Sequence, residues 1–302
     1  MFDLSAPVVA LLTPFDRKGR IDRRAFAPYL SALSGWGVRS AVCNGTTAEF
    51  PSLTLTERQN LLEFARGHFS GTLINNVSST CVKDSRKLIR GTQGLGDAVL
   101  LLPPYYYAGA GHEGLCRFFA ETLAGVSLPV FLYNFPQHTG NPVDGHLIGR
   151  LLGRGIELAG IKDSSGRLEH AAAYQAQFPQ LKIFHANDFE ALAALQAGLT
   201  GSVSGGANPL PEFLLAVRKY FGAADGKAQA LQRAFNVWND YRTGSSFPEI
   251  PLVKAAMGAR LADFPIHVRA PFTALPAEAL GPVRAKVEAC LAALDVVLDN
   301  RS

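Results

Sequence analysis

The sequence is sparing with the residues that define several kinds of protein. Its 302 residues include four cysteines, Cys43, Cys81, Cys116 and Cys290. They lie far apart and form no CxxC pair, which argues against a disulfide framework or a zinc site and predicts reduced thiols. The seven histidines contain no HExxH, so neither a metal nor any other cofactor is expected. His112, His146, His170, His185 and His267 read as surface or capping residues. No apolar run approaches the length of a membrane span. The opening MFDLSAPVVALLTPFD has an acidic residue, Asp3, and a short apolar run broken by Pro14. No secretory leader is therefore expected, and the predicted location is cytoplasmic. Neither GxGxxG nor GxxxxGK[ST] follows the first apolar run, which removes the best signal for a dinucleotide or P-loop site. Charge is thin as well, at 18% of residues, with 29 basic and 25 acidic side chains spread along the chain. That pattern gives no warrant for a nucleic-acid surface, while the net charge of +4 would not repel small anionic substrates.

What the chain does have is rhythm. Short apolar runs at 8–15, 40–44, 72–77, 98–102, 129–133, 158–162, 181–185 and 201–204 read as strands. Between and after them, helical patterns cover 22–33, a segment from 56, then 82–92, 112–123, 143–152, 168–178, 189–196 and 211–221. Unbroken apolar strands are covered on both faces. Eight such units close a barrel, so the predicted class is α/β, a (β/α)8 TIM barrel, with a doubly wound open sheet as the competitor. The remainder is helical, at 224–241, 247–258 and 275–298. The predicted organisation is a catalytic barrel over 1–222 and a C-terminal helical extension over 223–302, which covers a barrel flank or forms a subunit contact.

One strand stands out. In ELAGIKDSSGR, residues 157–167, a lysine follows four uncharged residues and precedes a polar turn. An ammonium in a low-dielectric site is costly unless paired, and a neutral amine attacks ketones. The alternative is a lysine whose head reaches solvent. In a barrel, chemistry gathers where strands end, and the other strand ends supply Thr46 and Thr47, Tyr105 to Tyr107, Tyr133, and a glycine-rich turn with Gly205 and Gly206. Lys162 can form an imine, and Tyr133, one strand away, is the natural proton carrier. Thr46 and Tyr106 are available for a hydroxyl relay, and Thr47 with the turn amides for holding a carboxylate. Thr46 also reads as a cap, the tyrosines as an aromatic wall, and the glycines as a tight turn. Glu49, Asp163 and Asp188 read as structural or supporting carboxylates.

The GTTAE, PPYYY, YNFPQHTG, GIKDSSG and SGGAN segments, in this order and spacing, resemble the dihydrodipicolinate synthase and N-acetylneuraminate lyase family along essentially the whole chain. The resemblance implies a pyruvate-dependent class I aldolase on a (β/α)8 barrel. It implies Lys162 as the Schiff-base lysine, Tyr133 as the catalytic tyrosine, Thr46 as the relay hydroxyl and Thr47 as the carboxylate binder. Val203 matches the strand that lines the pyruvate pocket, with Gly205 just beyond it. Tyr106 matches the relay tyrosine that reaches into a neighbouring subunit, which implies at least a dimer and, by family habit, a homotetramer. His138 stands where dihydrodipicolinate-forming members carry an arginine for the incoming carboxylate. Histidine lacks the bidentate fork, so the expected reaction is cleavage of a 2-keto-3-deoxy sugar acid, such as 2-keto-3-deoxygluconate, to pyruvate and an aldehyde. Condensation of pyruvate with aspartate semialdehyde, dehydration of a deoxy sugar acid and a non-catalytic binding role are the competing readings.

Overall fold

Eight strands, each three to five residues long, close on themselves. They are β1 (Val8–Ala10), β2 (Ser40–Cys43), β3 (Thr72–Asn76), β4 (Ala98–Leu101), β5 (Val130–Asn134), β6 (Gly160–Asp163), β7 (Lys182–His185) and β8 (Gly201–Ser204). All neighbours are parallel, and β8 returns to pair with β1. The closed parallel barrel, with helices alternating outside it, removes the open-sheet alternative. The computed structural model describes residues 4–299. Asp3 and the outer ends of the two predicted segments lie outside the described residues.

Side-chain alternation along each strand sorts the apolar residues into two layers. Val8, Ala10, Val42, Ile74, Ala98, Leu100, Phe131, Tyr133, Phe184 and Val203 form a buried cluster inside the barrel. Val9, Ala41, Cys43, Leu73, Val99, Leu101, Leu132, Ile161 and Ile183 belong to the clusters beneath the surrounding helices. Among the helices, α1 (Arg23–Gly35) starts where the Asp22 side chain accepts from the amides of Arg24 and Ala25. The helix α2 (Leu55–His68) begins on a reciprocal Thr54–Glu57 capping box, one residue before the sequence pattern places it. After α3 (Val82–Thr92) and α4 (Gly111–Leu123), a short helix, α5 (Pro136–Thr139), follows β5; the apolar pattern gives no sign of it. The set continues with α6 (Gly145–Gly153), α7 (Leu168–Gln177), α8 (Ala191–Gln196) and α9 (Pro211–Tyr220).

The C-terminal helices α10 (Lys227–Thr243), α11 (Glu249–Arg260) and α12 (Ala277–Asp299) share a core with the barrel flank. Trp238, Phe235 and Leu252 are fully buried in the same cluster as Phe15, Phe26 and Phe213. The Trp238 indole donates to the Gly206 carbonyl at 2.9 Å, which ties α10 to the turn after β8. Among the described residues, no helix is long and apolar enough to cross a membrane.

Candidate active site

The register of β5 against β6 sets Tyr133 opposite Lys162. Paired residues of parallel neighbours face the same side, so both project into the barrel near its C-terminal end. Gly160, two residues before Lys162, makes this packing fit. A Cβ there would lie 2.1 Å from the Lys182 carbonyl oxygen and 2.6 Å from Cε1 of Phe131. Lys162 is 7% exposed, and its Nζ sits 3.9 Å from the centroid of the Tyr133 ring. No carboxylate among the described residues ion-pairs with it. Its neighbour Asp163 is engaged elsewhere, accepting from Asn134 Nδ2 and from the Ser165 hydroxyl, each at 2.7 Å.

The turn after β2 brings the threonines. Thr46–Ala48 is a single 3-10 turn closed by Glu49 in the left-handed region, φ 60°. The Thr46 hydroxyl lies 3.4 Å from the Tyr133 hydroxyl. Thr47 leans on the turn after β8: a Cβ on Gly205 would fall 2.1 Å from Thr47 Oγ1, so only glycine allows this approach. The turn is anchored from below by the Thr13 hydroxyl, which donates to the Ala48 carbonyl at 2.9 Å. It is anchored from the side by Glu49, whose carboxylate accepts from Lys254 Nζ at 2.5 Å and from the Arg269 amide at 2.9 Å.

These groups line one cavity of about 340 Å³ at the C-terminal mouth of the barrel. Of the residues singled out in the sequence, Lys162, Tyr133, Thr46, Thr47, His138, Val203 and Gly205 all contribute to its wall. His138 sits on α5 at the rim with its ring stacked on Phe135, centroids 3.8 Å apart, and burial lowers its pKa from the ordinary imidazole value. Tyr106 is not brought to this cavity by its own chain. It is 86% exposed, at φ 83°, with its ring edge-on to Tyr107. Of the three consecutive tyrosines, Tyr105 is the inward one, packed edge-on against Phe50.

Sequence reasoning missed part of the wall. Glu249, Ile250 and Val253 come from the start of α11, and Phe272 from the segment after it. Nothing in the helical pattern of the tail says which end of which helix docks at the barrel mouth. His185 is a correction: it is fully buried, with Nε2 2.7 Å from Glu190 Oε2, not a surface residue. A histidine on an inner strand end is indistinguishable in sequence from one that caps a helix. Asp188 accepts from the Ser204 hydroxyl at 2.9 Å and pairs with Arg242, a supporting placement that matches the expectation for this carboxylate.

A parallel eight-stranded barrel with a carboxylate-free lysine facing a tyrosine at its C-terminal mouth has the makings of a Schiff-base-forming, class I lyase. The comparisons with known proteins agree. Residues 3–290 match the model of the dihydrodipicolinate synthetase family, and the chain belongs to that family, among its pyruvate-dependent class I aldolases close to the 2-keto-3-deoxygluconate aldolase-like members. It is 32% identical over 231 residues to a 2-dehydro-3-deoxy-D-gluconate/2-dehydro-3-deoxy-phosphogluconate aldolase of Thermoproteus tenax, covering 76% of this chain and 74% of that one. It is 34% identical over 199 residues to a 4-hydroxy-tetrahydrodipicolinate synthase of Bacillus subtilis, covering 65% and 68% respectively. The crystal structure of KD(P)GA from T. tenax superposes with a TM-score of 0.84 at 28% identity, over 94% of this chain and 99% of that one.

Proposed function

We propose that the protein reversibly cleaves a 2-keto-3-deoxy sugar acid to pyruvate and an aldehyde through an imine on Lys162. The observation that carries this reading is the position of the Lys162 amine, 3.9 Å from the Tyr133 ring, with the Tyr133 hydroxyl 3.4 Å from Thr46. The amine attacks the C2 ketone, water leaves, and the protonated imine becomes an electron sink. Tyr133, relayed through Thr46, takes the proton of the C4 hydroxyl. The C3–C4 bond breaks, its electron pair moves into an enamine, and the aldehyde departs. Protonation at C3 and addition of water then release pyruvate and restore the amine. Thr47 and the amides of its turn hold the substrate carboxylate, and Val203 and Gly205 bound the pyruvyl end. Tyr106, exposed on its own chain, extends the relay into the site of a second copy in a dimer or homotetramer.

The sugar-acid substrate is favoured by the composition of the cavity wall. His138 stands where a carboxylate-gripping arginine is needed for aspartate semialdehyde, and no arginine or second lysine lines the cavity among the described residues. The similarity to the T. tenax aldolase supports the same choice. The Bacillus subtilis synthase, at comparable identity, keeps condensation of pyruvate with aspartate semialdehyde as the second reading. Borohydride added with pyruvate should fix one reduced pyruvyl group on Lys162, read by peptide mass. An unmodified Lys162 peptide would end the imine mechanism. Pyruvate release across a panel of 2-keto-3-deoxy acids, beside a condensation assay with aspartate semialdehyde, decides the substrate; stronger turnover in the second assay would reverse the ranking.

A further inference from the structure

Charge is distributed unevenly around the cavity. Its ionisable lining groups are Lys162, Tyr133, His138 and Glu249. Under the reaction proposed above, Lys162 is spent on the imine. His138 is held toward its neutral form by burial. That leaves Glu249, the first residue of α11, with its side chain 56% exposed at the rim. Its carboxylate accepts from Arg242 Nη1, and Arg242 Nη2 reaches Asp188 Oδ2 at 3.2 Å. One guanidinium is thus shared by two carboxyl groups: burial raises the pKa of Asp188, with Arg242 opposing the shift, and Glu249 is the one that reaches the rim. Arg242 is only 8% exposed. It lies against bare backbone, since a Cβ on Gly206 would sit 2.6 Å from Arg242 Cζ and 2.7 Å from Asp188 Oδ2.

The same cluster borders an adjoining hollow of about 290 Å³, which shares Ser164, Ala186, Gly205 and Glu249 with the Lys162 cavity. A substrate anchored on Lys162 and longer than pyruvate has this hollow beside it. A helix start ordinarily attracts anions through its free amides and dipole. Here Glu249 supplies an anion of its own, and Pro251 removes one of the amides.

We infer that Glu249, held by Arg242 and Asp188, is a specificity-determining residue: it selects substrates whose distal end is an uncharged polyol and turns away those ending in phosphate or carboxylate. This inference rests on the aldolase reading of the site. A distal hydroxyl can donate to the Glu249 carboxylate, a charge-assisted hydrogen bond. A distal phosphate meets like charge at Glu249 and competes with it for Arg242 Nη1, while the unpartnered Arg242 Nε is buried away from it.

The test runs in the condensation direction, because cleavage of a six-carbon acid between C3 and C4 corresponds to pyruvate plus a three-carbon aldehyde. Condensation of pyruvate with D-glyceraldehyde is compared with that of D-glyceraldehyde 3-phosphate, for wild type and Glu249→Gln. Wild type should favour the uncharged aldehyde in kcat/KM by about tenfold or more, chiefly through KM. Glu249→Gln should lower KM for the phosphate and shrink the preference by a similar factor. High salt should shrink it in the wild type without any mutation. Equal or better use of the phosphate by wild type overturns the inference, as does a preference that ignores both the variant and salt. Borohydride trapping of pyruvate on the same samples separates the two levels. Loss of trapping removes the aldolase reading itself. Trapping with the phosphate preferred removes only the selectivity, and trapping with neither aldehyde consumed removes the sugar-acid substrate along with it.

Discussion

Among the described residues two lysines are buried, and they are buried differently. Lys162 is 7% exposed and Lys254 fully enclosed; each ammonium lies over an aromatic ring, 3.9 Å from the centroid of Tyr133 and 4.3 Å from that of Phe15. Lys254 has partners on every side: Glu49 at 2.5 Å, the His267 carbonyl at 2.9 Å, and Arg269 bonded to the far oxygen of Glu49. Burial pulls its pKa down to about 8, against the opposing pull of Glu49. Lys162 faces an open cavity, with no carboxylate partner among the described residues. A buried amine with its bonds satisfied is a strut, and one left facing a cavity is free to react. The two are connected, because Lys254 holds the residue that closes the Thr46–Thr47 turn, and that turn meets Tyr133 above Lys162.

Replacing Lys162 by methionine should have the largest effect, all of it on activity. Pyruvate release should drop about 10⁴-fold or more, as for loss of any covalent nucleophile. Stability should hold or rise by about 0.5–2 kcal/mol, since an unpaired amine gives way to an apolar chain of similar length. Thermal melts beside turnover check this; a marked loss of stability would mean that Lys162 is also a strut.

Lys254→Met should do the reverse. It leaves the fully buried Glu49 carboxylate without its ammonium, a change that costs about 3–5 kcal/mol. Adding Glu49→Gln should restore part of the loss, because the orphaned charge is then gone. Urea midpoints of the two single variants and the double variant measure the coupling. Activity should fall as well, through a higher KM for pyruvate as the Thr47 turn loosens. An unchanged midpoint in Lys254→Met would erase the distinction between the two lysines.

Lys162 was legible in the sequence and Lys254 was not, for a physical reason. Lys162 ends an apolar run, and the strand rhythm alone puts it at a barrel mouth, one strand away from Tyr133. Its meaning is local. Lys254 lies inside a tail helix that is buried on all sides from Pro251 to Met257, and its partner Glu49 is 205 residues away. Only docking of the tail reveals the pair. Glu49 could therefore be read as a supporting carboxylate, but its lysine could not be named. The same blindness hid Glu249, Ile250, Val253 and Phe272. Tyr106 marks another limit. Its motif announces it, yet in its own chain it is exposed and takes no part in the cavity wall.

The smallest effect sharpens the comparison at its periphery, where the strap that carries Arg269 is pinned. The Arg269 amide holds Glu49, while its guanidinium donates to Glu57 at 2.5 and 2.9 Å. The hydrogen bond from Arg269 pulls the Glu57 carboxyl down to about 2 from its ordinary 4.5. Between these two values the unfolded chain binds a proton that the folded chain does not, so this group makes stability rise with pH. Its contribution is complete above about pH 4.5 and fades as pH falls through about 2. Glu57 and Arg269 are 27% and 20% exposed, so solvent screening limits the pair to roughly 1 kcal/mol or less. Glu57→Gln should lower the urea midpoint slightly at pH 7 and flatten its decline between pH 5 and 2, with pyruvate trapping on Lys162 unchanged. If the variant instead lost trapping, the strap would reach the Thr46–Thr47 turn more directly than the buried Lys254–Glu49 pair implies, and the division between strut and reagent would have to be drawn closer to Lys162.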